Sequence, residues 1–222
     1  MDEMSGLIEK RVGFKEENRL YSELVQRLYR QGPVGIVATL INSLILCYIQ
    51  WPVISAAVII TWFWGLFLIT LIRAIFIYRY HRVSSTIVDA HGWGTWFVIG
   101  IGISGIAWGA AGFFLFPGQD IARQVVLAFV LGGMATGATF AFSALKIAFF
   151  AYTIPASIPI IIKFFSQNDS IHLAMGVMAL LFVILMTVTA MRNHNMLVTS
   201  LILRFENKDL VQYLSQAKEN AP

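Results

Sequence analysis

The sequence predicts an all-α integral membrane protein, a six-transmembrane-helix bundle with an N-terminal amphipathic helix and a C-terminal cytoplasmic coiled-coil-like helix. Three observations carry that prediction. Of 222 residues, 58% are hydrophobic and only 13% are charged, and the mean hydropathy is +0.72, whereas about a quarter of an ordinary soluble domain is charged. The apolar residues gather into six stretches close to the roughly 20 residues that cross a hydrocarbon core of about 30 Å. The Lys and Arg residues between those stretches are distributed unequally between the two sides.

Residues 1–32 form the expected N-terminal segment. The start, MDEMSGLIEK, holds acids and no short apolar core, so it does not read as a cleavable signal peptide. From 14 to 30, Leu20, Tyr21, Leu24, Val25, Leu28 and Tyr29 share one face of a helical wheel, and Glu16, Glu17, Glu23 and Arg27 share the other. Such a helix is too charged to span. Its expected place is the membrane surface, with a cytoplasmic partner or its own copy as the alternatives. Gly32-Pro33 is expected to break it from the first membrane span.

Residues 33–191 hold the six expected spans: Pro33 to Ile49, Pro52 to Tyr78, Trp93 to Phe116, Gln124 to Leu145, Ile147 to Ile162 and Ile171 to Met191. The third and fourth are rich in small residues and fold about Pro117-Gly118-Gln119-Asp120. Gly105, Gly109 and Gly112 fall on one helix face, and Gly133 and Gly137 repeat a spacing of four. In a bilayer such faces let helix backbones approach closely, so these five are expected to be packing residues. The fifth stretch is short between Lys146 and Lys163, and whether it fully spans is open. Its Pro155 and Pro159 should kink the helix and free backbone carbonyls that neighbours must satisfy.

With six spans, both termini fall on one side together with fourteen of the sixteen Lys and Arg residues, leaving Arg123 and Lys163 opposite. The positive-inside rule then makes both ends cytoplasmic. The opposite loops are very short, which leaves no external domain for a large ligand. Residues 192–222 stay helix-forming, and Met196, Ser200, Leu203, Asn207, Leu210, Leu214 and Ala217 alternate at spacings of four and three. Leu203, Asn207, Leu210 and Leu214 are the expected seam of a two-stranded coiled coil in a homodimer, with Asn207 at an a-type position that fixes register.

Chemistry-bearing motifs are few. Gly100-Ile101-Gly102-Ile103-Ser104-Gly105 matches a dinucleotide fingerprint, but its glycines lie inside a predicted span instead of at a strand-to-helix turn. His81, His91, His172 and His194 show no metal-ligand spacing and are expected on solvated edges. Arg73 is expected to snorkel to the inner interface, and Asn42 to make one interhelical hydrogen bond. Cys47, the single cysteine, is expected as a buried thiol. Asn168-Asp169-Ser170 fits a glycosylation acceptor, a tripeptide common by chance. No nucleophile with a base partner, paired carboxylates or phosphate loop is present, so no catalytic residue, no metal, no cofactor and no nucleic acid is expected.

Three segments, SGIAWGAAGFFLFP, LGGMATGATFAFSALKIAFFAYTIPASIPI and SLILRFENKDLVQYLSQA, make the chain from Leu20 onward resemble the membrane-embedded N-terminal part of bacterial sensor histidine kinases, often hybrid ones. Similar regions precede some GGDEF diguanylate cyclases. The distinctive features are the Gly-rich hairpin, the two-proline span and Arg204-Phe205-Glu206-Asn207. The resemblance implies a sensory module in a bacterial inner membrane, in contact with lipid, whose last helix leads to a dimeric output domain. Phosphoacceptor, ATP-binding and GGDEF motifs are absent, so the family's enzyme activity does not transfer to these residues; an excised piece of a longer chain is the corresponding expectation. The short outer loops point to a small or lipophilic ligand. A small transporter or channel and a non-sensing membrane anchor are the competing classes.

Overall fold

The computed structural model describes residues 2–83 and 90–219, with side-chain surroundings for 17–83 and 90–218. Among the described residues there are six helices and no strand: α1 (Asp2–Gln50), α2 (Ala56–Val83), α3 (Ala90–Phe114), α4 (Ile121–Ala141), α5 (Lys146–Phe165) and α6 (Ser170–Glu219). All six are long and apolar enough to cross a membrane. The bundle wears an apolar exterior, with Ile41, Leu68, Phe129, Ile158 and Leu185 all exposed. Apolar cover on every helix far exceeds what a water-soluble monomer exposes, and it fits a multi-pass membrane protein.

α3 and α5 share the most extensive contact in the bundle. Gly105, Gly109 and Gly112 of α3 make it possible. A Cβ on Gly105 would stand 2.5 Å from the Tyr152 carbonyl oxygen, and one on Gly109 would run into the Pro155 carbonyl oxygen. At Gly112 it would stand 3.2 Å from the Ile160 Cβ. α5 is helical across both prolines. Pro155 and Pro159 lack the N–H groups that would bond Ala151 and Pro155, and both freed carbonyls face glycines of α3: Gly102 stands opposite Ala151, and Gly109 opposite Pro155.

Gly133 and Gly137 behave differently from the expectation. Neither has any atom within 4 Å of where a Cβ would stand, so their spacing of four builds an open groove on α4 instead of a helix contact. α4 ends at Ala141 with Phe142 as its C-cap, and α5 begins at Lys146 after a short turn.

The expected break at Gly32-Pro33 does not occur. α1 is one helix with Pro33 inside it, because tertiary packing holds the turn that precedes the proline. Tyr29 stacks on Tyr80 with ring centroids 3.8 Å apart and donates its hydroxyl to the Trp93 carbonyl at 3.0 Å, while Gly32 is pressed against the Ile77 side chain. In lipid, a proline costs only the one carbonyl it deprives, and neighbouring helices hold the rest of the turn. The boundary expected at residue 32 therefore falls within a helix, and α6 runs through residue 191 without a break.

The N-terminal face expected on the membrane surface is also placed differently. Leu24, Val25, Leu28 and Tyr29 are buried in the protein's own core, and Tyr21 stacks on His91 at 4.3 Å. Burial of four large side chains against α2 and α3 removes the apolar stripe that lipid would otherwise cover. Lys10, Arg11 and Lys15, which contribute to the charge bias, lie outside the described side chains.

The early part of α1 and the late part of α6 extend from the same end of the bundle. Arg19 lies over the Phe205 ring at 4.2 Å and 3.8 Å from the Asp209 carboxylate. This pair is exposed, so it orients the two helices more than it stabilises them.

Candidate functional site

Three arrangements on α6 and its neighbours hold the polar chemistry of the bundle. The first lies at the end opposite the termini, where two aspartates cap helices. Asp120 accepts from the Arg123 N–H at 3.1 Å, and its other oxygen pairs with the Arg123 guanidinium. Asp169 accepts from the Ile171 and His172 N–H groups at 3.0 and 2.9 Å. The backbone N–H of the capped residue is the main cause holding each carboxyl below its ordinary range. Arg123 also donates to the Ile49 carbonyl at 3.1 Å, tying α4 to the end of α1.

His172 is buried there, 6% exposed, instead of lying on a solvated edge. Its Nδ1 meets the Asp169 carboxylate and its Nε2 lies 2.6 Å from Gln124 Oε1. Gln124 Nε2 donates to the Pro117 carbonyl at 2.7 Å, which fixes the amide so that Oε1 faces the imidazole. Both ring nitrogens therefore face oxygen atoms of neighbouring side chains. The network links α4, the α5–α6 turn and the first turn of α6.

The second arrangement lies around Arg73 of α2, inside one of the apolar spans. Arg73 does not snorkel. It is 8% exposed, donates Nη1 to Ser104 Oγ at 3.1 Å, and keeps Nη2 buried with no hydrogen-bond partner. No carboxylate pairs with it among the described residues. An unpaired guanidinium at the centre of an apolar span costs about 2.5–3.5 kcal/mol on insertion scales, and ionisable groups within such spans mark functional sites. Arg73 lines a crevice of about 390 Å³ between α1, α4 and α5, together with Tyr152, Thr39 and Asn42. Tyr152 is likewise buried, and its hydroxyl has no partner. Gly133 and Gly137 line the α4 side of the same crevice, and Val34 and Phe140, both well exposed, stand at its rim. Asn42 spends its amide on the Ala38 carbonyl at 2.9 Å and on Met134 Sδ of α4 at 3.6 Å, a weak form of the interhelical bond expected of it.

The third arrangement is the late part of α6. Leu203, Asn207, Leu210 and Leu214 are all exposed, and an open groove runs along Met196, Leu203, Asn207 and Val211. The opposite face, with Leu201 buried and Phe205 under Arg19, packs toward α1. Among the other histidines, His194 faces the Ser143 and Ala144 carbonyls at 3.1 Å, and His91 lies 3.2 Å from Asn18. No group of three His, Cys, Asp or Glu suited to a metal exists among the described residues. The glycines of the fingerprint-like run lie inside α3. Pro155 and Pro159 meet α3 at Gly105 and Gly109 and are not among the residues that line the crevice.

Comparison with protein-family models, with curated proteins and with solved structures finds no match.

Proposed function

We propose that this chain is the transmembrane sensory input module of a bacterial signalling receptor of the sensor histidine kinase type. It sits in the inner membrane with both termini cytoplasmic, and a packing change in the bundle passes through α6 to a dimeric output. The observation that carries the reading is the continuity of α6: one helix of 50 residues runs unbroken from Ser170 to Glu219. Its first turn holds His172 in the network at one end, its middle packs on α4 and α5, and its last turns leave Leu203, Asn207, Leu210 and Leu214 uncovered. A rigid rod of that kind converts a shift anywhere along the bundle into rotation, tilt or register change at its far end. A ligand drives such a shift by binding one packing better than the other. A second copy of α6 completes the seam, and the buried-side contacts of Leu201 and Phe205 leave that face free to accept it.

The test joins structure to output. In a Cys47→Ser background, single cysteines along 201–214 should cross-link most at Leu203, Leu210 and Leu214 and least at Leu201. When α6 is continued into a histidine kinase catalytic region, insertion of one to four residues after Phe205 should change kinase activity with a helical period, because each residue turns the helix by about 100°. A flat activity series removes the signalling role, and absence of cross-linking at Leu210 removes the seam.

A further inference from the structure

We infer that the crevice between α1, α4 and α5 binds a lipophilic oxyanion, a single-chain amphiphile whose carboxylate or phosphate head bonds Arg73 and Tyr152 while its chain lies along the α1–α4 opening. Two residues that carry orphaned polar atoms line one cavity, and Arg73 also borders a smaller one beside Phe76 and Trp96. Arg73 has spent Nη1 on Ser104 and holds Nη2 unpaired, and the Tyr152 hydroxyl is unpaired as well. Both are more than nine-tenths buried, and both line the crevice. Each offers a hydrogen, so the complementary group is an acceptor with several lone pairs, and the uncompensated guanidinium selects one that carries negative charge. The described lining holds no Asp or Glu that could fill this role internally.

Apart from Gln31, Thr39 and Asn42, the remainder of the lining fits a hydrocarbon chain. Val34, Ala38, Met134, Ala138 and Phe142 are apolar, and Gly133 and Gly137 leave the α4 wall without side chains. A volume of about 390 Å³ lies within the range of small-molecule sites. The exposed rim at Val34 and Phe140 opens on the apolar exterior, so a ligand dissolved in the bilayer enters without crossing water. That the occupant is also the signal rests on the sensory reading above; that it binds does not.

The experiment measures equilibrium binding of radiolabelled dodecanoate, dodecyl phosphate and dodecanol to the whole chain in lipid nanodiscs. Dodecanoate or dodecyl phosphate should bind saturably and at least about tenfold more tightly than dodecanol, the difference expected of a charge-assisted hydrogen bond. Preference for dodecanoate identifies a free fatty-acid-like ligand, and preference for dodecyl phosphate identifies a lipid headgroup. Arg73→Gln should abolish the preference over dodecanol. Gly137→Phe fills the crevice from its open wall and should block binding without touching Arg73, which keeps the test decisive if Arg73→Gln does not fold. Equal binding of dodecanol, or binding unchanged by Gly137→Phe, overturns the assignment. Binding together with a flat insertion series leaves the site standing and removes the sensory role; a periodic series without binding does the reverse.

Discussion

Gly109 of α3 lies directly against the main-chain carbonyl oxygen of Pro155 on α5, the oxygen that Pro159 deprives of its intrahelical donor. A glycine there brings a Cα–H to an otherwise unsatisfied acceptor in a medium that offers no water. The prolines of one helix and the glycines of the other are thus a single device. Removing either side strands the other.

Gly109→Ala should therefore destabilise the bundle by roughly 1 to 3 kcal/mol, as overpacking does, because the atom in the way is backbone and cannot rotate aside. Gly137→Ala, facing open space, should leave thermal stability in detergent unchanged. Equal melting temperatures for Gly109→Ala and the unaltered chain would contradict the contact.

The Asp169 cap predicts a pH dependence. Its carboxyl is held below the ordinary value of 3.8, first by the His172 backbone N–H. A depressed folded-state value means that the stabilisation is fully present above 3.8 and is lost as the pH falls through the lower folded value. Asp169→Asn keeps an acceptor for the His172 and Ile171 N–H groups but has no charge to lose. Thermal denaturation followed down through that acidic window should fall less steeply for Asp169→Asn; identical slopes would count against it. Asp120 contributes in the same direction, so part of the slope should persist.

At Pro33, an alanine should restore an N–H for the Tyr29 carbonyl without disturbing the Tyr29–Tyr80 stack. Since α1 is already helical through this position, Pro33→Ala should raise stability or leave it level. A marked loss, measured by thermal unfolding in detergent, would mean that the proline ring itself packs in a way the helix requires.

Much of this architecture is legible in the residues, and the failures have physical causes. Apolar length and the basic bias suffice for six helices, since lipid leaves the backbone almost no other choice. The spacing of four at Gly105 and Gly109 and at Gly133 and Gly137 is the same, yet only the first pair meets a helix. Periodicity gives a smooth face but not what stands opposite it. Gly32-Pro33 misleads because the breaking rule is learned in water, where no neighbour holds the turn. Arg73 is visible as a charge at some depth, but whether it faces lipid or core depends on a helix rotation that a run of apolar residues all round does not specify. His172 finds Gln124 across 48 residues, a pairing with no local motif. What could have flagged Arg73 is scarcity: a cation in a segment with few polar groups needs a partner or a use.

The seam proposed on α6 yields the prediction that separates a receptor from an anchor. In a parallel pair Asn207 faces its copy among Leu203, Leu210 and Leu214, all of them exposed in the single chain. A buried Asn pair costs stability and rewards one alignment, because only in register do the two amides bond each other. Asn207→Leu should then raise the dimer fraction in detergent while cross-linking from single cysteines, now sharp at Leu203, Leu210 and Leu214, spreads to neighbouring positions. Because Arg19 holds Phe205 and Asp209 on the opposite face, the broadening should grow further when Arg19→Ala releases α6 from α1. A receptor that signals by choosing between alignments of this helix loses signal dependence in Asn207→Leu, with output fixed at an intermediate level. An anchor keeps whatever output it had. Unchanged cross-linking in Asn207→Leu would place Asn207 outside the seam, and unchanged signal dependence with a broadened seam would show that alignment of α6 is not what the output reads.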